Sequence, residues 1–371
     1  METEHGALIE LTLTAISPGG EAIGRHAGMV IFIPFGLPGE TVQVEIVEQR
    51  RSFCRGRIVT LITPAPERRA PRCQHFGVCG GCTWQHIDYP AQLRFKRQIV
   101  HEQLVRIGKL AEPPVQPCIA SPAAYAYRNH ARLARSQQGA VGYRVAQSHT
   151  ISAVHECPVL EPSLQEQLHG LTPSPAGRGD VELRAPMAPI RVGGYDYTVS
   201  GDSFFQVNTA VAELLLVEVL AKLAARRDQR VLDLYSGVGL FTLPIAASGA
   251  QVCAVESSKA ACADARRNLA QFANAQVIES TVEQALTQRA IARQRWDAIV
   301  LDPPRAGVER TALLRIAALS APRIVYVSCD PATLARDAQL LCSQGYALRN
   351  AQPFDMFPQT AHVETVAVFE Q

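Results

Sequence analysis

The chain has 371 residues, 47% hydrophobic and 19% charged, which is too long for one ordinary domain and too apolar for a disordered one. No apolar run approaches the roughly 18 residues that span a bilayer. The start METEHGALIE lacks the basic-then-apolar order of a signal peptide, so the expectation is a soluble cytoplasmic protein with no membrane partner.

The net charge of +2 conceals a division. Residues 1–49 hold one Arg against seven Glu, a net of −6; residues 50–109 hold 12 Lys and Arg against three acids, a net of +9; the rest holds 23 against 24, a net of −1. Residues 125–155 carry four Arg and no Asp or Glu. A basic middle offers polyanions one preferred face, although a solvated surface has the same composition.

Residues 8–63 read as a small barrel. ELTLTAI, GMVIFIP, TVQVEIV and GRIVTLIT alternate or run apolar between Gly and Pro turns. Pro64 to Arg72 reads as a linker, and Tyr89 to Gly108 has helical spacing among basic residues. YRNHARLARS, GAVGYR and HTISAV read as strands of a mainly β region, with Leu171 to Gly179 a loop. From Thr209 the pattern alternates: a helix over 209–226, a second after the glycines of SGVG, a third over 259–273. Strands fall at 231–235, 251–256, 296–302 and 323–328. That alternation predicts a parallel sheet covered on both faces.

The strand VLDLY runs into Ser236-Gly237-Val238-Gly239 and then a helix. Glycines allow a sharp turn and close approach of backbone to a ligand. The next strand ends in Glu256, 23 residues after Asp233, an acid suited to a ribose diol. The third Gly of a dinucleotide fingerprint is missing and no base is placed for a pyrophosphate, so S-adenosylmethionine fits the turn better than NAD. LDPPR holds Asp302 at the sheet's carboxyl edge, because two prolines stop the ladder. VYVSCDP places Cys329 at that edge as a candidate nucleophile, and DMFPQTAHVET places Glu364, with His362 nearby, as a candidate general base. Each, taken alone, also reads as a strand terminator, a buried structural thiol or a solvated strand-end acid.

Five of the ten cysteines, Cys54, Cys118, Cys253, Cys262 and Cys342, sit like small buried hydrophobes. Cys73, Cys79 and Cys82 follow C-x5-C-x2-C, and Cys157 lies far off in HECPVL. Four thiolates suit zinc or an iron–sulfur cluster. The lone fourth Cys fits paired zinc knuckles poorly, so the spacing favours iron–sulfur.

Together RCQHFGVCGGCTWQH, YRNHARL, HECPVL, FFQVN, DLYSGVG, LDPPRAG, YVSCDP and DMFPQTAHVE resemble the RNA uracil-5 methyltransferases, in that family's order and across nearly the whole chain. The resemblance implies an α/β, Rossmann-like methyltransferase domain over residues 206–371 and an N-terminal TRAM, OB-like β-barrel over 1–63. A small mixed central domain over 64–205 would carry the iron–sulfur loop and an RNA-contacting region. It implies a 4Fe–4S cluster on Cys73, Cys79, Cys82 and Cys157, and S-adenosylmethionine held by Gln206, Tyr235, Glu256 and Asp302. Cys329 would be the nucleophile and Glu364 the base in methylation of uracil C5, on ribosomal RNA in preference to transfer RNA, by a monomer.

The family usually has Asn after the nucleophile; this chain has Asp330, which either raises the thiol's pKa or turns away. Ser236 stands where many relatives have Cys, and the region between Tyr125 and Gln206 is short for the family. Three other readings are an RNA amino-methyltransferase acting through the DPP turn, a radical enzyme using the cluster, and a non-catalytic RNA-binding protein. The amino-methyltransferase needs no thiol, the radical enzyme wants C-x3-C-x2-C, and the binding protein leaves Asp302, Cys329 and Glu364 unexplained.

Overall fold

The first five strands close into a barrel in the computed structural model, which describes residues 5–136, 139–145, 148–171, 180–184 and 189–371. They are β1 (Leu8–Ile16), β2 (Ala22–His26), β3 (Met29–Ile33), β4 (Thr41–Gln49) and β5 (Phe53–Thr63), in the order β1-β2-β3-β5-β4. Alternate residues, among them Leu11, Leu13, Ile31, Ile33, Val42, Val44 and Ile46, fill its core. The sequence pattern predicts four strands and misses β2, whose AIGRH is short and half polar. Gly24 explains that composition: a Cβ there would lie 1.8 Å from Leu11 Cδ1, so the barrel interior admits no larger residue.

The chain divides into two compact units. The first comprises Met1–Ile99, Ala123–Ala185 and Phe357–His362. Besides the barrel it holds most of α1 (Tyr89–Arg106), capped by Asp88, whose Oδ1 accepts the Ala91 N–H at 2.8 Å. It also holds β6 (His130–Arg135), β7 (Val141–Arg144), β8 (Ile151–Ala153), α2 (Pro162–His169) and β9 (Val181–Arg184). These four strands form an antiparallel sheet, β8-β7-β6-β9, over a core that includes Leu133, Cys157, Leu160 and Leu164. The expected loop from Leu171 to Gly179 lies, beyond Leu171, outside the described residues.

The second unit comprises Val100–Pro122, Pro186–Met356 and Val363–Gln371. A hairpin of β10 (Ile190–Val192) and β11 (Tyr195–Tyr197) precedes α3 (Thr209–Leu223), which Asn208 caps. Then come β12 (Arg230–Leu234), α4 (Thr242–Ala247), β13 (Gln251–Glu256), α5 (Lys259–Asn268), β14 (Ala275–Glu279), α6 (Val282–Ala285) and α7 (Arg289–Ala292). β15 (Ala298–Leu301), α8 (Arg310–Ala318), β16 (Arg323–Ser328), α9 (Pro331–Ser343), β17 (Ala347–Phe354) and β18 (Glu364–Glu370) complete it. The sheet order is β14-β13-β12-β15-β16-β18-β17.

The strands expected at 231–235, 251–256, 296–302 and 323–328 are β12, β13, β15 and β16, and they pair in parallel as expected. Five strands are parallel, but β18 runs antiparallel to both β16 and β17. The short β17–β18 connection returns the chain directly, and a return without a crossover makes strands antiparallel. No described helix is long and apolar enough to cross a membrane.

Candidate active site

Strand order reverses beside β12: the chain proceeds from it to β13 on one side and later to β15 on the other. That reversal opens a crevice at the carboxyl ends of an α/β sheet. Tyr235, Glu256, Asp302 and Cys329 each sit at or just past the end of β12, β13, β15 and β16. Glu364 reaches the same edge from the opposite direction. The antiparallel register pairs Thr365, the second residue of β18, with Ser328, the last of β16, so Glu364 falls just past the end of β16, where Cys329 lies.

The turn after β12 is built by conformation and hydrogen bonds. Tyr235 has φ +59° and Gly239 φ +92°, both left-handed. The Gly237 N–H donates to Glu256 Oε2 at 2.9 Å, and the Ser257 and Ser258 N–H groups donate to Oε1 at 2.8 and 2.6 Å. Glu256 thus ties the glycine turn to the tip of β13. The Tyr235 side chain instead lines a groove with Pro304, Val308, Glu309 and Leu340, so the part of Tyr235 at the turn is its backbone. Gln206 is buried two residues before the cap Asn208. The Ser236 hydroxyl is buried without a hydrogen-bond partner, a cost that a thiol at this position would reduce.

Carboxylates accumulate at this edge. Burial pushes Asp233 up to about 7, against the lowering effect of the Thr242 hydroxyl, which donates to its Oδ2 at 2.5 Å; Asp302 and Glu256 add to the rise. Burial likewise raises Asp302. Glu364, 3% exposed, is raised well above the carboxylate range by burial and then by Asp302, with Arg305 opposing. Burial pushes the Cys329 thiol up to about 12, Glu364 and Asp302 push it further, and Arg305 pulls it down. Motif reading assigned no role to Asp233 or Arg305. An acid inside the apolar strand VLDLY, and a base directly after the prolines of LDPPR, were the available signals.

Asp330 caps the helix that follows the thiol and is not among the groups that shift Cys329. Its Oδ1 accepts the Ala332 and Thr333 N–H groups at 2.9 and 3.0 Å, capping α9, with Pro331 at the first helical position. Of the two possibilities for this residue, the helix cap is the one observed.

In the first unit, Cys73, Cys79, Cys82 and Cys157 line one cavity with Gln85, Tyr127 and Tyr143. The Gly81 N–H points at Cys79 Sγ at 3.4 Å, and Gln85 accepts the Cys73 N–H at 2.9 Å. Burial raises Cys79 and Cys157 and pushes Cys82 up to about 12, and in each case the neighbouring thiols add to the rise. Buried thiols such as Cys79, Cys82 and Cys157 ionise readily only beside a cationic centre. Among the described residues, however, no three His, Cys, Asp or Glu side chains form a group able to hold a metal ion. One zinc would require sulfurs about 3.8 Å apart.

The family described as tRNA (Uracil-5-)-methyltransferase matches residues 187–371, and the TRAM domain matches residues 2–59. A relative in Yersinia enterocolitica, the 23S rRNA (uracil(1939)-C(5))-methyltransferase RlmD, is 32% identical over 98% of this chain and 95% of its own length. The chain belongs to the RNA (uracil-5-)-methyltransferase family. The same-named protein of Klebsiella pneumoniae is 33% identical over 98% of this chain and 96% of its own. The crystal structure of Pyrococcus abyssi tRNA (uracil-54, C5)-methyltransferase with S-adenosyl-L-homocysteine superposes with a TM-score of 0.75 at 26% identity, covering 97% of this chain and 99% of that one. In this uracil-5 methyltransferase the second unit has the S-adenosylmethionine methyltransferase fold, and the N-terminal barrel is a TRAM domain.

Proposed function

We propose that this chain transfers a methyl group from S-adenosylmethionine to C5 of a uridine in RNA, with Cys329 as nucleophile and Glu364 as base. The observation that carries this reading is the antiparallel register of β16 and β18, which gathers a thiol and a buried carboxylate at the sheet's ligand-binding edge. Uracil C5 is too weak a nucleophile to take a methyl unaided. Addition of the Cys329 thiolate to C6 forms a carbon–sulfur bond and turns C5 into an enolate carbon, which attacks the methyl of the sulfonium and expels the neutral thioether. Glu364 then removes the C5 proton, the C5–C6 double bond re-forms, and the thiolate leaves. The target base must leave its stack to be reached from both faces.

S-adenosylmethionine would lie against the glycine turn, with Gln206, Tyr235, Glu256 and Asp302 as its contacts. Its sulfonium would bring a positive charge to a site where burial, and then Glu364 and Asp302, raise the Cys329 thiol, and a cation there favours the thiolate. Cys73, Cys79, Cys82 and Cys157 would hold a 4Fe–4S cluster through their thiolates, and that ligation would tie residues 73–82 to 157. The RNA is 23S rRNA on the strength of the relatives' names and coverage. The working form is a cytoplasmic monomer with a TRAM domain, an iron–sulfur loop over 64–205 and a catalytic domain over 206–371.

The test is a comparison of Cys329→Ala with Glu364→Gln. The first should bind RNA and never bond to it; the second should add, methylate and stall as a denaturation-resistant RNA adduct. If Cys329→Ala still transfers labelled methyl groups, the chemistry is that of an amino-methyltransferase and the thiol has no part in it.

A further inference from the structure

The β17–β18 connection is held by the residues that directly follow Cys82 and by α1. Its residues Phe357 to His362 belong to the first unit, and β18 opens with Glu364 two residues later. Each early position of this strap is tethered within that unit. The Lys96 ammonium, fully buried, donates to the Phe357 carbonyl at 3.1 Å, and the Tyr127 hydroxyl donates to the Pro358 carbonyl at 3.0 Å. The Gln359 carbonyl accepts two N–H groups, from Thr83 at 3.1 Å and Trp84 at 2.9 Å, the residues directly after Cys82.

The Gln92 side chain completes the tether. The two N–H groups of its Nε2 are shared among Gln359 Oε1 and the carbonyls of Trp84 and Ile87, at 3.0 to 3.1 Å, and its Oε1 accepts the Gln359 N–H at 3.0 Å. Gln92 and Gln359 are 0% and 2% exposed, so these bonds face no competition from water. Gln359 takes φ +69°, a conformation that a Gln adopts only where its surroundings enforce it. Tyr127 also lines the cavity of the four cysteines. One strap is therefore bonded to the two residues that follow Cys82 and to Tyr127 of the cavity wall.

We infer that the cysteine site serves catalysis by fixing this strap, with Gln92 and Gln359 as positioning residues for Glu364. The inference rests on Glu364 being the base. A folded cysteine loop would then be required for proton abstraction from C5, and less so for thiolate addition or for binding S-adenosylmethionine.

The experiment uses the full-length, cluster-loaded protein and the variants Gln92→Leu and Gln359→Gly, the latter keeping the backbone that Thr83 and Trp84 bind. Both should retain S-adenosylmethionine affinity and iron content, lose roughly 10- to 100-fold in turnover, and accumulate the covalent RNA adduct at least about fivefold over the parent. Parental turnover, or lost turnover without adduct, overturns the inference. Failure of Glu364→Gln itself to trap an adduct would instead remove the underlying reading of the base. Should either variant misfold, hydrogen exchange decides. In Cys82→Ser the peptide covering residues 355–364 should exchange at least about tenfold faster than in the parent while β12 and β15 stay protected. Equal exchange overturns the proposal.

Discussion

Asp330 stands next to Cys329 in the chain, yet its carboxylate spends both hydrogen bonds on the first turn of α9. Asn and Asp cap helices about equally well, because each offers one side-chain oxygen to the free N–H groups. Asp330→Asn should therefore leave both methylation and the alkylation rate of Cys329 within about twofold of the parent. Asp330→Ala removes the cap and should cost about 1 kcal/mol in urea unfolding. A large rise in Cys329 alkylation in Asp330→Asn would show that the carboxylate acts on the thiol after all. The groups that raise this thiol, beyond burial, are Glu364 and Asp302, which lie far from it in sequence.

The element that shapes the edge is β12 with its glycine turn, and Asp233 is buried in the middle of it. A carboxyl raised to about 7 keeps its proton in the folded chain over a range where the unfolded chain, near 3.9, has lost it. The stability that this difference contributes is complete below about pH 4 and is lost as pH rises toward about 7. The usual Asp behaves in the opposite sense. Asp233→Asn keeps an acceptor for Thr242 and removes the buried titration. Its stability relative to the parent should improve between pH 4.5 and pH 8 by on the order of 2 kcal/mol, measured by urea unfolding. A pH-independent difference between the two proteins would mean that Asp233 ionises normally within the fold.

At the scale of the whole molecule, the basic excess and the four-cysteine cavity belong to the first half of the chain. Arg94 is 57% exposed and pairs with Glu67 at 2.9 Å, a surface contact that a phosphate can replace. Reversing Arg94 and Arg97 to Glu should weaken RNA binding and lower the slope of log affinity against log salt by about two, leaving S-adenosylmethionine affinity unchanged. An unaltered slope would make that face of α1 a solvated surface. The cysteine cavity carries its own expectation. Anaerobically purified protein should be brown with about four irons per chain, and Cys157→Ser should lose them. Stoichiometric zinc in a colourless protein would overturn the cluster.

Local pattern determined the barrel strands β1, β3, β4 and β5, the helix after Asp88, the glycine turn, and the motif residues at strand ends. Strand alternation, caps and prolines act over a few residues and so are written in a few residues. The missed β2 shows the limit of that rule: its Gly24 is dictated by Leu11 on another strand, a contact that no window of AIGRH contains. Two further features were decided only by the tertiary structure. The direction of β18 depends on its pairing with β16 and β17, and that pairing converts a strand-end acid into a buried neighbour of the strand that leads to Cys329. The tether of Gln359 to Gln92 and Trp84 joins residues 267 and 275 positions apart. Bonds of that span are fixed by packing, because burial alone makes their partners unavailable to water.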